Sequence, residues 1–192
     1  MRRALPLIAA AVLLTACSAG TPGSAEPAPA PTAAEPTGLV LPPRPRELPL
    51  DDVDPCALLT PTQRETLGLT DDSSRSRSTA PGFVGPACSI RGYQPRAVAI
   101  NIALVTGSGI GVLTGPGATT DDITPITVAG FPALLARPAS ADFCSVDIDT
   151  AEGQFIDVQF ADGGRTPPIA QDELCRGAIE VAEQAVTTLG IG

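Results

Sequence analysis

The strongest fold signal in this chain is the stretch CSVDIDTAEGQFIDVQF, residues 144–160. Apolar side chains alternate with polar ones on both sides of Glu152-Gly153, a pattern typical of two half-buried strands joined by a turn. Both apolar rows share one face only if Asp147 stands directly opposite Asp157 on the other face. The stretch therefore predicts an antiparallel hairpin with a three-residue loop, 151–153, in which Gly153 is left-handed.

Further strand patterns lie on the N-terminal side of this hairpin. Bulky and small side chains alternate over 97–104, which predicts a strand with one core face. Residues 87–91 are expected to pair with it, and 126–129 and 133–137 are expected to form short strands. The polar stretch 69–85, with its Pro and Gly residues, predicts a loop.

Helix signals stand at both ends of this strand region. Asp54-Pro55 and the capping box of 60–63 predict a short helix that ends near Leu67, before Gly68. At the C-terminal end, Gly190 is the expected helix stop. The apolar stripe of that second helix recurs at steps of three and four, at Cys175, Ile179, Ala182, Val186 and Leu189. The predicted fold class is thus α+β, an antiparallel sheet packed with an N-terminal short helix and a C-terminal helix.

The N-terminus carries the signature of export. A positive start, Met1-Arg2-Arg3, precedes an apolar run, 4–14, that is too short to span a bilayer as a helix. The run ends in Leu14-Thr15-Ala16-Cys17, which resembles the lipobox of bacterial lipoproteins. We predict a signal peptide over 1–16 and lipidation of Cys17, which would hold the protein on the extracytoplasmic face of the cell membrane. The alternative is ordinary cleavage with Cys17 incidental.

A Pro/Ala-rich segment follows. Residues 18–50 contain nine of the 21 prolines, and such a composition cannot bury enough apolar surface to offset the entropy of ordering. We predict a lipidated Cys and a disordered tether over 17–50. A single globular extracytoplasmic domain is then expected over 51–192, a length sufficient for one core.

Composition excludes several classes of function. The net charge is −9, all 12 basic residues are Arg, and there is no His or Trp. We therefore expect no nucleic-acid partner, because such proteins show basic patches. Without His or Lys, catalysis by a His-based triad, a Schiff base or a P-loop lysine is excluded. We predict no cofactor.

Four cysteines remain after Cys17, an even number that predicts disulfides in an exported chain. Three connectivities are possible. The pairs Cys56–Cys88 and Cys144–Cys175 are favoured because each would join a helix to a neighbouring strand. A zinc site is the competing use, but the chain has no C-x2-C pair.

Facing acidic side chains are the closest candidate for a metal site, although we predict none. Asp147 opposite Asp157, with Asp149 on the same face, would repel unless a cation such as Ca²⁺ or a nearby arginine relieved the charge. Arg137 and Arg165 are the candidate arginines. EF-hand spacing is missing, so a solvated outer face is the preferred interpretation.

Several motifs occur along the predicted domain: the run DPCALLTP at 54–61, Cys88 at a strand start, Val128-x-Gly130-x-Pro132-Ala133, Cys144-x-Val146 and Leu174-Cys175. Together they resemble the actinobacterial lipoprotein family called domain of unknown function 3558. The resemblance covers 51–192 and implies an envelope location and two disulfides, but no activity and no catalytic residues. One departure is Ser89-Ile90, where that family often has Trp after the second cysteine.

These observations predict a membrane-anchored extracytoplasmic lipoprotein with a non-catalytic, ligand-binding domain. The alternative is a protein-interaction or sensory module of the cell envelope, and a carboxylate-dependent hydrolase ranks third. An apolar pocket of several hundred cubic ångströms between the sheet and the C-terminal helix would favour a small ligand. A filled core with an exposed apolar patch would favour a protein partner.

Overall fold

The structure, a computed structural model, describes residues 39–92, 97–115, 118 and 121–191. The predicted signal peptide, Cys17 and the start of the predicted tether lie outside these residues. In chain order the elements are a 3-10 helix Pro55–Ala57, α1 Pro61–Leu67, β1 Ser74–Ser78, β2 Gly85–Gly92, β3 Val98–Val105, a 3-10 helix Ile110–Leu113, β4 Asp122–Val128, β5 Phe131–Arg137, β6 Phe143–Ala151, β7 Gln154–Asp162 and α2 Gln171–Ile191.

The strands form one seven-stranded antiparallel sheet in the order β1-β2-β3-β7-β6-β5-β4. The predicted fold class is confirmed, and so is the register that places Asp147 opposite Asp157. The three-residue loop is wrong, because Ala151 pairs with Gln154 and leaves a two-residue turn. A bulge between Asp149 and Ala151 absorbs the extra residue, while Gly153 has the expected left-handed φ of 70°.

One face of the sheet, the helix face, carries the main core. Its bulky side chains come from the central strands and pack against α2 and the N-terminal 3-10 helix. The two predicted disulfides are present at this face, with Cα–Cα distances of 5.1 Å for Cys56–Cys88 and 4.9 Å for Cys144–Cys175. Each bond ties a helix to a strand and so fixes how the helices lie on the sheet.

The helix boundaries follow the signals in the sequence. Thr60 and Gln63 form the predicted capping box of α1, and Gly68 ends that helix in the left-handed conformation. The second helix, α2, ends at Ile191, one residue beyond the predicted stop at Gly190 and within the usual spread of helix ends.

The opposite face, which we call the crossover face, is covered by connecting segments. β3 and β4 run in the same direction but stand four places apart in the sheet, so the chain between them must cross three strands. Ile110 and Leu113 of that connection pack against Leu134 and Phe155 of the sheet. Phe83, from the β1–β2 loop, meets the Phe155 ring edge-on at 5.7 Å between centroids.

Two sequence predictions about irregular segments are wrong. The expected loop over 69–85 contains an edge strand, β1, whose SRSRS sequence is exposed and pairs with β2. Its polar composition hid it, since an edge strand needs no apolar face. The expected boundary at residue 51 lies inside the packed region, because Leu50 is fully buried and the Leu48 N–H donates to the Thr150 carbonyl at 2.8 Å. No helix of the described residues has the length and hydrophobicity of a membrane span.

Candidate functional site

Polar side chains form a row across the middle of the crossover face. Strand pairing aligns Ser89, Asn101, Gln159 and Ser145 on four neighbouring strands, and the Ser89 hydroxyl lies 3.2 Å from the Asn101 amide oxygen. The adjoining row holds Asp157 and Asp147, flanked by Ala103 and Leu134. The sheet thus presents two carboxyls beside amides and hydroxyls on one surface.

A cavity of about 300 Å³ lies between this surface and the segments that cover it. Asp147, Asp157, Asn101, Gln159 and Ser145 contribute its polar lining from the sheet. The apolar part of the lining consists of Phe83, Leu113, Ile123, Phe143 and three alanines. The cavity is therefore amphipathic, with a polar floor and aromatic and aliphatic walls, and its volume is at the lower end of small-molecule sites.

The two facing acids are buried, so the predicted solvated outer face is wrong. Asp147 is 3% exposed and Asp157 is 2% exposed. The sequence pattern predicted a solvated face, but the crossover connection covers it. Gln159 Nε2 donates to Asp157 Oδ2 at 2.9 Å. Among the described residues, no group donates a hydrogen bond to Asp147 Oδ1 or Asp157 Oδ1.

Burial changes the acidity of this pair. Loss of solvation raises the pKa of Asp157 to about 7, although the hydrogen bond from Gln159 opposes the rise. Burial also raises the pKa of Asp147 well above its ordinary value, with further contributions from the negative charges of Asp157 and Asp121. The two carboxyls therefore hold protons to much higher pH than exposed aspartates do.

Asp149 belongs to a different arrangement. Arg44 Nη1 lies 2.8 Å from Asp149 Oδ1 and 2.7 Å from Oδ2, while Arg44 Nη2 reaches Glu47 at 2.8 Å. Burial raises the pKa of Asp149 and the Arg44 charge opposes that rise. The arginine that relieves this part of the face therefore comes from the predicted tether.

The three acids proposed as the closest metal candidate are not brought together as a ligand set. In the described part of the chain, no three His, Cys, Asp or Glu side chains are grouped as metal binding requires. The two arginines suggested as relief act elsewhere. Arg137 pairs with Asp172 at 2.7 Å, and the Arg165 backbone N–H donates to Asp162.

The cavity lies on the side of the sheet opposite to the one considered from sequence. Cys175, Val181, Ala182 and Val186 of α2 are buried in the main core, so the space under this part of the helix is filled. A separate apolar cavity of about 410 Å³ lies at the C-terminal end of α2, beside Leu48, Val53, Leu58 and Leu189. The sequence does contain a signal for a covered crossover face, namely apolar residues at positions where the alternation calls for polar ones. Phe155 precedes the regular row of β7, and consecutive leucines in β5 place bulky groups on both faces.

Fold and site together define an α+β domain with two disulfides and a cavity beneath the connection from β3 to β4. The chain belongs to the family described as "Protein of unknown function (DUF3558)", whose model matches residues 12–188. The resemblance noted from the motifs is therefore confirmed at the level of the family. No curated protein and no solved structure matches the chain.

Proposed function

We propose that this protein is a lipid-anchored, extracytoplasmic binding protein that holds a small ligand in the crossover-face cavity. The observation that carries the proposal is the cavity itself, which places two buried acids with unpartnered oxygens beside apolar walls. Buried polar groups nearly always have hydrogen-bond partners, so the two oxygens without a donor support a partner from outside the described residues.

The anchor part of the proposal rests on the N-terminal sequence. The lipobox-like Leu14-Thr15-Ala16-Cys17 supports acylation of Cys17, and the Pro-rich segment after it supports a spacer between membrane and domain. Residues 39–50, once predicted to be part of that spacer, contact the domain through Arg44 and Leu48. The spacer proper is accordingly shorter than 17–50.

The rigidity of the scaffold also supports binding. Two disulfides hold helices against the sheet, and the cavity floor is made of central strands rather than loops. Side chains on central strands lose little further entropy when a ligand binds, which favours affinity.

Native mass spectrometry of the full-length protein, purified from its own membranes, tests this function. We expect a bound small molecule on the wild type. Ala136 lines the cavity and is buried, so Ala136→Leu should fill the site and remove the ligand. Ala170→Leu adds the same volume at an exposed position and should retain the ligand.

Retention of the ligand by Ala136→Leu would contradict the proposal, provided that the variant melts as cooperatively as the wild type. So would a wild-type protein that carries nothing from its membranes and gains no thermal stability in an extract of them.

The same pair of acids favours a second candidate function, hydrolysis with carboxyl groups as acid and base. Such catalysis pairs a carboxyl that stays protonated through a raised pKa with an ionised neighbour, and the Asp147–Asp157 pair at the cavity can supply both when one of the two loses its proton. Turnover of fluorogenic glycosides by the wild type, lost in Asp157→Asn and in Asp147→Asn, would establish this function. Absence of turnover would leave binding alone.

A further inference from the structure

Asp147 and Asp157 form the most unusual electrostatic arrangement of the described chain. They are direct cross-strand partners, so their side chains are immediate neighbours on one face. No arginine of the described residues lies within salt-bridge distance of either carboxyl, whereas Asp149 on the same strand has Arg44. Among the described residues, positive charge is thus supplied to this face beside the cavity, and no arginine lines the cavity itself.

On the basis of the proposed binding function, we propose that the ligand is an organic cation. Its ammonium or amidinium N–H groups donate hydrogen bonds to the carboxyl groups of Asp147 and Asp157. Both side chains line the cavity, and each carboxyl has one oxygen without a donor among the described residues.

The chemistry of the floor selects among possible ligands. An anion could bind only with both acids protonated, because any negative charge on the pair would repel it strongly at low dielectric. A divalent metal ion needs a larger set of oxygen ligands, and the described acids do not form one. A nitrogen cation with two or more N–H donors matches both acceptors and compensates the charge at the same time.

The apolar lining of the cavity favours a ligand whose remaining part is apolar. Phe83 and Phe143 bring aromatic rings to the cavity, and Leu113 and Ile123 bring aliphatic groups. The T-shaped contact with Phe155 holds the Phe83 ring in place. A volume of about 300 Å³ suits a compact molecule with one cationic head and a short apolar body.

Benzamidine and benzylamine are suitable probes, with benzamide and benzyl alcohol as neutral counterparts of similar shape. Titration calorimetry of the full-length protein should show one site for each cation and binding weaker by roughly tenfold or more for each neutral partner. Asp147→Asn and Asp157→Asn should each weaken binding of the cations by a similar factor. Asp52→Asn removes an exposed charge outside the cavity lining and serves as the control.

The pH dependence gives a second readout. Asp121 also lines the cavity and acts on Asp147, and Asp149 with Arg44 stands on the same face, so all of these charges contribute to the profile. Benzamidine stays protonated while the pair loses protons, so its affinity should rise from about pH 5 to about pH 8. Asp157→Asn should flatten that rise.

Several results would overturn the proposal. They are equal affinity for cations and neutral partners, unchanged cation binding in the double Asn variant, no binding of either cation by the wild type, and one-site binding of CaCl2 that competes with benzamidine. If Ala136→Leu abolishes binding of the native ligand while the double Asn variant leaves it unchanged, the binding function stands and the cationic ligand does not.

Discussion

Asp147 and Asp157 face each other across β6 and β7 with both carboxyls buried. Their raised pKa values link folding to pH, because the unfolded chain releases both protons near pH 4, whereas the folded chain releases that of Asp157 at about pH 7 and that of Asp147 well above the ordinary aspartate range. The stability that the raised pKa values contribute is fully present below the unfolded pKa and is lost as pH rises through the folded one. The domain should therefore be less stable at pH 8 than at pH 5.

Urea titrations at several pH values measure this effect. Each unit of pKa difference corresponds to about 1.4 kcal/mol, so the wild type should lose several kcal/mol over that interval. The Asp147→Asn/Asp157→Asn variant should show a nearly flat profile and exceed the wild type at pH 8. If the free energy of unfolding depended on pH identically in wild type and variant, ionisation of the buried pair would not be what destabilises the domain, and the prediction would be wrong.

The disulfide between β6 and α2 should contribute substantially to stability. Cys144 and Cys175 are separated by 31 residues, and closing a loop of that size stabilises by about 3 to 4 kcal/mol in the chain-entropy model. Cys144→Ala/Cys175→Ala should lower the free energy of unfolding in urea by that amount. Non-reducing peptide mapping of the wild type checks the pairing, and a Cys56–Cys144 peptide would contradict it.

Arg44 should hold the segment before β1 against the domain. Arg44→Ala leaves Asp149 buried without its cation, a loss of about 1 to 3 kcal/mol. Limited proteolysis should then cut within 39–50 faster than in the wild type. Arg46→Ala is the matched control, since Arg46 is exposed and makes one long hydrogen bond, 3.3 Å, to the Gly190 carbonyl. Equal cleavage rates in the two variants would contradict the role of Arg44.

Two glycines in α2 should respond in opposite ways to alanine. A Cβ at Gly177 would lie 2.8 Å from Cζ of the Phe160 ring, in a packed core, so Gly177→Ala should destabilise by about 1 to 3 kcal/mol. A Cβ at Gly190 meets only the flexible end of Arg46, and alanine favours helix by up to about 1 kcal/mol. Thermal denaturation of both variants checks the signs, and a stabilising Gly177→Ala would contradict the helix position.

Cys17 should be the membrane anchor. Cys17→Ala removes the proposed lipid attachment, so the variant should leave the membrane fraction or accumulate as uncleaved precursor. Fractionation with immunoblotting distinguishes these outcomes from the wild type. Processed Cys17→Ala that stays membrane-bound would contradict the anchor.

The strand register was predictable from sequence because alternation is a local property. Once Val146 pairs with Val158 on the core face, Asp147 must face Asp157, whatever lies above them. The capping box at Thr60 and Gln63 and the disulfide pairs were predictable for similar reasons, since they depend on short spacings or on periodicity.

The candidate site was not predictable in the same way. Alternation shows that two faces differ, but it does not show whether water or another segment covers the polar one. That depends on the connection from β3 to β4, which brings Leu113 over Phe155 across a non-local distance in sequence. The burial of Asp147 and Asp157, their raised pKa values and the cavity beside them follow from that crossover. Local alternation therefore specifies which residues face each other, whereas the crossover, a non-local contact, places them away from water.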